Sequence, residues 1–331
     1  MKRAVVTGGG GFVGKAVVRL LRERAIDVTV IGRSPSAEVE AMGALMACGD
    51  IRDRAFLERV LLGHDTVFHV AAKAGIWGSG GEYYAINVLG TENVLAACAK
   101  NGVRHLVYTS TPSVVFNRSD IRCGDETLPY ADAFLCHYAA TKAQAEKMVL
   151  AANGPTLLTT ALRPHLVWGP EDTNLIPRLL ARGRSGHLRQ VGDGSNLVDI
   201  SFIDNVAQAH LLAADNLAGP GTAAGRAYFI SQGEPVNLWD WINDLFRRLD
   251  IAPVNRKIGF RQAYTAGFLC ERIYRLLGRQ QEPPMTRFLA EQLAKSHWFS
   301  IAAARRDLGY RPRVATAAGM ERLVAWLGKQ S

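Results

Sequence analysis

The chain contains 331 residues, of which 48% are hydrophobic and 21% are charged, and its formal net charge is +9. This length and composition suit a globular protein with a large core and exclude an intrinsically disordered chain. The positive charge suits an anionic ligand, an anionic membrane or a nucleic acid, but no nucleic-acid-binding motif accompanies it.

The cysteines and the first residues bear on the cellular compartment. Five cysteines are scattered along the chain without a CxxC pair, which argues against both a disulfide framework and a structural zinc site. The histidines also lack the spacing of a metal site, so no metal is expected. Residues 1–6 lead directly into an apolar strand pattern without the features of a secretory signal, which predicts a cytoplasmic protein.

In chain order, the first elements predict an α/β fold. Lys2–Thr7 predicts a buried strand, and the apolar residues from Val13 to Leu21 fall on one face of the helix that follows. The same patterns predict strands and helices further along the chain, namely strands at Asp27–Ile31, Thr66–Val70, His105–Ser110 and Leu157–Leu162, and helices at Val88–Lys100 and Tyr138–Ala152. Because strands alternate with helices, we expect a doubly wound, parallel Rossmann sheet.

After about residue 165 the pattern changes to Pro and Gly turns and isolated helices. We therefore predict a Rossmann domain over residues 1–165, to which residues 200–232 return through a helix at Asp204–Ala214 and a strand at Arg226–Ile230. Residues 166–199 and 233–331 are predicted to form a smaller, mainly helical lobe over the strand ends. Ligands of doubly wound folds bind at these ends, so this lobe is expected to bind the substrate.

A glycine-rich loop follows the first strand and begins the first helix. The sequence from Thr7 to Gly14 satisfies both GxGxxG and GxxGxxG. Glycines in this context let the backbone approach a pyrophosphate, and the helix N-terminus favours its negative charge. The loop therefore predicts a dinucleotide site that contains Gly8, Gly11, Phe12, Val13 and Gly14.

The end of the second strand indicates which dinucleotide is bound. NAD-binding sheets carry an acidic residue there for the ribose 2′-hydroxyl, whereas this chain has Gly32, Arg33 and Ser34. A guanidinium pairs well with a phosphate, so Arg33 and Ser34 predict NADP(H). A solvated arginine without a ligand is the alternative.

Tyr138 and Lys142 are predicted to form the acid-base pair. They lie four residues apart and therefore on one face of the predicted helix, where the ammonium is expected to lower the pKa of the phenol. Thr111, at the end of the strand His105–Ser110, is expected to hold the substrate oxygen, with Ser110 as its competitor. A simple capping role for both hydroxyls is the third interpretation.

These motifs together resemble the extended short-chain dehydrogenase/reductase superfamily over essentially the whole chain, and in particular its 3β-hydroxysteroid dehydrogenase branch. The branch resemblance rests on Tyr138–Glu146, Ala161–Pro164, Gly192–Asp199 and Ile203–Asn205. The resemblance implies further cofactor contacts and a homodimer that forms through helices of the Rossmann half. The implied contacts are Asp50 and Ile51 at the adenine, Ala71 and Ala72 along the cofactor, Lys142 at the nicotinamide ribose and Pro164 at the nicotinamide.

Three segments are similar to bacterial reductases of long-chain olefin biosynthesis, which reduce a branched β-keto acid with NADPH: Ala71–Gly78, Val167–Pro170 and Thr286–Leu293. Three others resemble sterol-4α-carboxylate 3-dehydrogenases: Ser113–Phe116, Asp125–Tyr130 and Leu158–His165. The reductase is the preferred interpretation because the acidic residue typical of NAD binding is missing. A nucleotide-sugar epimerase and a non-catalytic NADP sensor are weaker alternatives. For the substrate carboxylate, sequence order indicates His165, Arg178 and Arg182.

Residues 259–278 mix apolar residues with three arginines and are too charged to span a bilayer. An amphipathic helix there would rest on an anionic membrane, line an entrance for a long-chain substrate, or pack as a lid on the second lobe. The sequence leaves these three interpretations open.

Overall fold

The computed structural model describes residues 1–329. The last two residues of the predicted substrate-binding lobe, 330 and 331, lie outside the described residues. The strands in chain order are β1 (Arg3–Thr7), β2 (Asp27–Gly32), β3 (Leu45–Cys48), β4 (Thr66–His69), β5 (His105–Thr109), β6 (Ile121–Gly124), β7 (Leu158–Pro164), β8 (Val167–Trp168), β9 (Gln190–Val191), β10 (Leu197–Val198), β11 (Ser201–Phe202), β12 (Arg226–Ile230), β13 (Val236–Asn237), β14 (Lys257–Ile258) and β15 (His297–Phe299).

The helices surround these strands. In chain order they are α1 (Phe12–Glu23), α2 (Ala37–Ala41), α3 (Arg54–Val60), α4 (Gly80–Tyr84), α5 (Gly90–Asn101), α6 (His137–Ala151), α7 (Leu175–Arg184), α8 (Ile203–Ala218), α9 (Leu238–Arg248), α10 (Phe260–Leu276), α11 (Arg287–Ala294), α12 (Ala302–Leu308) and α13 (Thr316–Gly328). A π-helical segment covers Ala85–Leu89, and a 3-10 turn covers Pro112–Val114.

The central sheet has seven strands in the order β12-β7-β5-β4-β1-β2-β3, and every pair is parallel. Its middle strands are apolar and buried because helices cover both faces, as in doubly wound sheets generally. The strand order reverses between β4 and β1, which opens a crevice at their carboxyl ends. The predicted doubly wound parallel sheet is confirmed.

The last strand of this sheet comes from late in the chain. β12 pairs with β7, and helix α8, which precedes β12, packs against α1, β5 and β7. The strand predicted at residues 226–230 is therefore confirmed with its bounds. Strand β3 was not predicted from the sequence. It lies at the edge of the sheet with Leu45 and Cys48 exposed, so it lacks the pattern of a buried strand that β4 shows over the same length.

The remaining strands form small sheets beside the central one. One has the order β13-β10-β15-β6, and two others pair β11 with β8 and β14 with β9. β6 lies within residues 1–165 but pairs with β15 near the C-terminus. Around these short strands, α7 and α9 to α13 make this part of the molecule mainly helical. Among the described residues, no helix combines the length and the apolar character that crossing a bilayer requires.

Candidate active site

The glycine loop between β1 and α1 packs tightly against the end of β4. Gly8 has a φ of +69°, and a Cβ on it would lie 2.8 Å from the Ala71 Cα atom. A Cβ on Gly14 would lie 2.2 Å from the Gly8 carbonyl oxygen. Side chains at these two positions would therefore separate the loop from the sheet and the helix from the loop.

The first turn of α1 leaves backbone N–H groups available to an anion. Its N-cap residue, Gly11, has no side chain that could cap the helix. The backbone N–H groups of Phe12 and Val13 therefore point out of the helix end without a side-chain partner from the cap. Helix ends of this kind bind phosphates. The shape and the polarity of the loop thus fit the pyrophosphate of a dinucleotide.

The residues after β2 and β3 lie on the same edge of the sheet. Gly32 ends β2, and Arg33 and Ser34 are exposed beside it. Asp50 accepts two hydrogen bonds from the Arg52 guanidinium, at 2.7 and 3.0 Å. This pairing lowers the pKa of the Asp50 carboxyl despite partial burial. The exposed Arg33 guanidinium and the Ser34 hydroxyl are therefore accessible to a phosphate at this edge.

Ile51 and Asn87 shape the neighbouring surface. Ile51 is buried, and a Cβ on Gly90 would lie 2.6 Å from its Cδ1 atom. Asn87 accepts a hydrogen bond from Lys73 N at 2.7 Å and donates to Thr141 Oγ1 at 3.0 Å. The predicted helix at Val88–Lys100 begins as the π-helical segment around Asn87, which directs this side chain to the loop after β4. The π-helical setting of Asn87 has no simple sequence signal.

A buried histidine connects β4 to β1 and α5. His69 Nδ1 lies 2.8 Å from Thr7 Oγ1, and its Nε2 lies 2.9 Å from Thr91 Oγ1. Thr91 donates to the Asn87 carbonyl, so it accepts from His69 Nε2–H, and Thr7 donates to Nδ1. Complete burial lowers the pKa of His69 to about 3, which keeps it neutral.

The backbone N–H of Ala71 donates to Thr7 Oγ1 at 3.1 Å. Through this bond the His69 network fixes Ala71 and the adjacent Ala72 directly beyond β4. Both residues therefore lie beside the glycine loop, where the resemblance places the cofactor.

Tyr138 and Lys142 lie in the first turns of α6, and Thr111 lies beyond the end of β5. The Thr111 hydroxyl lies close enough to the Tyr138 phenol to lower its pKa. Thr111 Oγ1 also accepts from the Ser113 backbone N–H at 3.3 Å, which caps the 3-10 turn. The structure thus brings together the tyrosine and the threonine that were predicted as partners. Ser113, which lies 3.2 Å from Thr111, was not predicted as a site residue.

Lys142 is held against the sheet. Its side chain is only 2% exposed, its Nζ donates to the Thr109 carbonyl at 2.6 Å, and it lies 4.1 Å from the centre of the Tyr108 ring. Burial lowers the pKa of Lys142 to about 7. The Nζ atom therefore contacts the strand end from which Thr111 continues.

The expectation that Lys142 lowers the pKa of Tyr138 is wrong for this structure. Desolvation raises the pKa of the phenol to about 12, and the nearby Thr111 hydroxyl offsets only part of this effect. Lys142 donates to a backbone carbonyl instead of the phenol. The Tyr138 hydroxyl therefore keeps its proton at neutral pH and is a proton donor.

Ser110, the competitor of Thr111, has a buried hydroxyl with no hydrogen-bond partner among the described residues. Next to it, Pro164 ends β7, and its position is fixed by a buried ion pair between Arg163 and Glu146, with Nε to Oε2 at 3.1 Å. Thr111, and not Ser110, affects the pKa of Tyr138, which favours Thr111 as the hydroxyl nearer to the phenol.

A cavity of about 380 Å³ adjoins the start of α6. Its walls come from the loop after β4, from the start of α6 and the residues before it, from α10 with the segment that follows it, and from the start of α11. They include Trp77, Leu135, His137, Tyr274, Arg275, Arg279 and Arg287, whereas Tyr138 and Thr111 do not line it. The Trp77 indole N–H donates to the Arg279 carbonyl at 3.1 Å, which ties the two sides together.

The charge of this cavity is positive. Three arginines line it, and Glu271 is the single carboxylate in its wall. Glu271 pairs with Arg287 at 2.8 Å and more loosely with Arg275 at 3.7 Å. Among residues 1–329, Arg279 has no carboxylate within 4 Å. The cavity therefore suits an anionic ligand with apolar parts.

The three residues predicted for the substrate carboxylate have other partners. His165 is buried, and its Nε2 lies 2.8 Å from His297 Nδ1. Arg178 pairs with Glu282, and Arg182 donates to the Pro284 carbonyl. None of the three lines the cavity beside α6. The sequence order gave this wrong prediction because it does not show which side chains meet across the two parts of the chain.

Comparisons with known proteins agree with this geometry. A model of the 3-beta hydroxysteroid dehydrogenase/isomerase family matches residues 5–259. The 2-alkyl-3-oxoalkanoate reductase of Stenotrophomonas maltophilia is 49% identical over 325 residues, which are 98% of each chain. The reductase of the same name from Shewanella oneidensis is 46% identical over 335 residues, which cover 99% of this chain and 87% of the relative.

More distant relatives include the decarboxylating sterol-4-alpha-carboxylate 3-dehydrogenase of Mus musculus, which is 33% identical over 98% of this chain and 90% of its own. Among solved structures, the crystal structure of gox2253 has a TM-score of 0.81 and 28% identity, covering 100% and 99% of the two chains. MoeE5 in complex with UDP-glucose and NAD has a TM-score of 0.76 at 24% identity over 99% of each chain, which is a likeness of fold alone.

Proposed function

The chain belongs to the 3-beta hydroxysteroid dehydrogenase/isomerase family, and on that premise we propose that it reduces a 2-alkyl-3-oxoalkanoic acid to the 2-alkyl-3-hydroxyalkanoic acid with NADPH. It is an oxidoreductase of the extended short-chain dehydrogenase/reductase type, which acts on hydroxyl and keto groups with a nicotinamide cofactor. The observation that carries the substrate class is the positively charged, partly aromatic cavity at the start of α6, where His137, the residue before Tyr138, lines its wall.

NADP(H) is the proposed form of the cofactor. Gly8, Gly11 and Gly14, with the N–H groups of Phe12 and Val13, would hold the pyrophosphate, and Arg33 and Ser34 would hold the 2′-phosphate. Asp50, Ile51, Ala71, Ala72, Lys142 and Pro164 would border the rest. When bound, the cofactor supplies the hydride that the reduction requires.

The chain's own residues supply the proton and hold the reacting oxygen. Tyr138, whose pKa of about 12 keeps it protonated, donates its proton to the ketone oxygen. Thr111, whose hydroxyl lowers the pKa of Tyr138, stabilises the negative charge that develops on that oxygen. Lys142, which lies one turn further along α6 and is held by the Thr109 carbonyl, would in its protonated form offset the charge left on the phenol.

The arginines of the cavity attract the substrate carboxylate. Glu271 pairs with Arg287 and Arg275, which leaves Arg279 to pair with the acid. Trp77, Leu135 and Tyr274 supply apolar surface for the alkyl chains. We propose that residues 1–165 and 200–232 hold the cofactor and also contribute part of the substrate cavity, including Trp77 and Leu135, and that residues 166–199 and 233–331 supply the rest of the substrate site. The product is proposed to enter long-chain olefin biosynthesis.

A decarboxylating sterol-4α-carboxylate 3-dehydrogenase is the second candidate, because a sterol carboxylate also suits a cationic, aromatic cavity. The decisive experiment follows NADPH oxidation with a synthetic long-chain 2-alkyl-3-oxo acid and, separately, NAD(P)+ reduction with a 3-hydroxy-4-carboxysterol. Turnover of the keto acid supports the proposal. Turnover of the sterol alone would replace it with the second candidate and would remove the role given to Arg33.

A further inference from the structure

Helix α10 packs against its neighbours with two of its sides. Ala263, Gly267 and Glu271 are buried toward α11, and a Cβ on Gly267 would lie 2.6 Å from the Thr286 carbonyl carbon. Tyr274 and Arg275 line the cavity. Packing as a lid on the second lobe therefore explains two sides of α10 and leaves its third side unexplained.

The third side of α10 is apolar and exposed. Leu269, Ile273 and Leu276 are 53%, 51% and 86% exposed, and their spacing of three and four residues places them on one face. Leu277 continues this face at 60% exposure. We call these four residues the α10 ridge. Together with the adjacent Phe268, they make up five of the ten large exposed apolar side chains among the described residues, and such a cluster marks an interaction surface.

Positive charge surrounds the ridge. Residues 256–279 contain six basic residues, and their single acidic residue, Glu271, is buried. Arg261 and Arg272 are exposed, and at about 100° per residue they lie roughly 60° to 80° around the helix from Leu269. An apolar strip with arginines along its side is typical of helices that lie in the interface of an anionic membrane.

We propose that the α10 ridge docks this protein on an anionic lipid bilayer. Charge complementarity favours this occupant, because exposed arginines flank the ridge and no exposed carboxylate lies on α10. The contact is peripheral, since no helix of the described chain can cross a bilayer. α10 is also one wall of the cavity, so docking brings that cavity next to lipid. This last step rests on the proposed function, because long-chain keto acids partition into lipid.

The test is flotation of the purified full-length protein with vesicles of phosphatidylcholine, with and without phosphatidylglycerol, at low and high ionic strength and without substrate. The variant Leu269→Glu/Ile273→Glu/Leu276→Glu removes the ridge, and Leu62→Glu is its control, because Leu62 is 72% exposed elsewhere. Arg261→Gln/Arg272→Gln removes the flanking charge, with exposed Arg104→Gln/Arg311→Gln as the control.

We expect the wild type to float with anionic vesicles at low ionic strength, and both α10 variants to lose more than about tenfold of this binding while both controls keep it. Turnover of a short, water-soluble keto acid should stay unchanged in the ridge variant, which shows that it is folded. Absence of binding to anionic vesicles, or equal binding by the charge variant, would overturn the proposal. Self-association that the ridge variant abolishes, without vesicle binding, would assign the ridge to a second copy of the chain instead.

Discussion

The two sides of the site differ in how firmly they are held. At the sheet, Gly8 contacts Ala71 so closely that no side chain fits between them, and Lys142 is only 2% exposed. At α10, one face packs on α11 while Leu276 is 86% exposed. The rigid side matches a reaction shared by a whole superfamily, and the open side matches substrates that differ between its members. Chemistry should therefore depend on the sheet side and selectivity on the α10 side.

Tyr138→Phe tests whether the chemistry resides on the sheet side. Loss of the donated proton should lower kcat by about 10³-fold, within the usual range for a general acid, and should leave NADPH binding nearly intact. Absorbance assays with a fluorescence titration of NADPH measure the two effects. Tyr84→Phe, at a 43% exposed tyrosine, is the control. A Tyr138 variant that retains most of its rate would remove this residue from the mechanism.

Arg33→Ala tests the cofactor selectivity of the same side. A charge-assisted bond to the 2′-phosphate is worth about 1.5–3 kcal/mol, so the KM for NADPH should rise roughly 10- to 150-fold while the KM for NADH stays constant. Steady-state kinetics with both cofactors measure this difference, and exposed Arg311→Ala serves as the control. A wild-type enzyme that prefers NADH would contradict the role of Arg33.

Arg279→Gln tests the α10 side. A partly exposed ion pair contributes up to about 1 kcal/mol, so the KM for the keto acid should rise about fivefold with little change in kcat. The methyl ester of the same keto acid, which lacks the charge, should show no such rise. Equal effects on acid and ester would mean that Arg279 supports the cavity without pairing with the carboxylate.

Asp199→Asn tests how a buried carboxyl outside the catalytic residues affects the stability of the fold. Burial raises the pKa of Asp199 from 3.8 to about 7, and its Oδ1 has no hydrogen-bond partner among residues 1–329. Between these pH values the native state binds more protons than the unfolded state, so the wild type loses stability as the pH rises. The variant should avoid this loss and unfold a few degrees higher than the wild type at pH 8, with a smaller difference at pH 5.

Thermal unfolding across pH 4–8 checks this prediction. Asp132→Asn, at an exposed carboxylate, should follow the wild type at every pH. If the unfolding temperatures of Asp199→Asn and the wild type depend on pH in the same way, the Asp199 carboxyl is ionised in the folded state without destabilising it.

Several features followed from the sequence because their causes are local. The glycine loop depends on neighbouring residues around one turn, and Tyr138 and Lys142 share a helix face through their spacing alone. The alternation of strands and helices likewise predicted the parallel sheet, including β12, since hydrophobic periodicity reports burial over a few residues at a time.

The tertiary structure decided the rest, because these properties depend on residues distant in the chain. Desolvation by the surrounding fold raises the pKa of Tyr138, although its neighbour Lys142 had predicted the opposite. His165 is buried against His297 and does not line the cavity, and Glu271 pairs with Arg287 and leaves Arg279 to the cavity. Which side of α10 stays exposed was settled by the close approach of Gly267 to Thr286, a contact that no periodicity encodes.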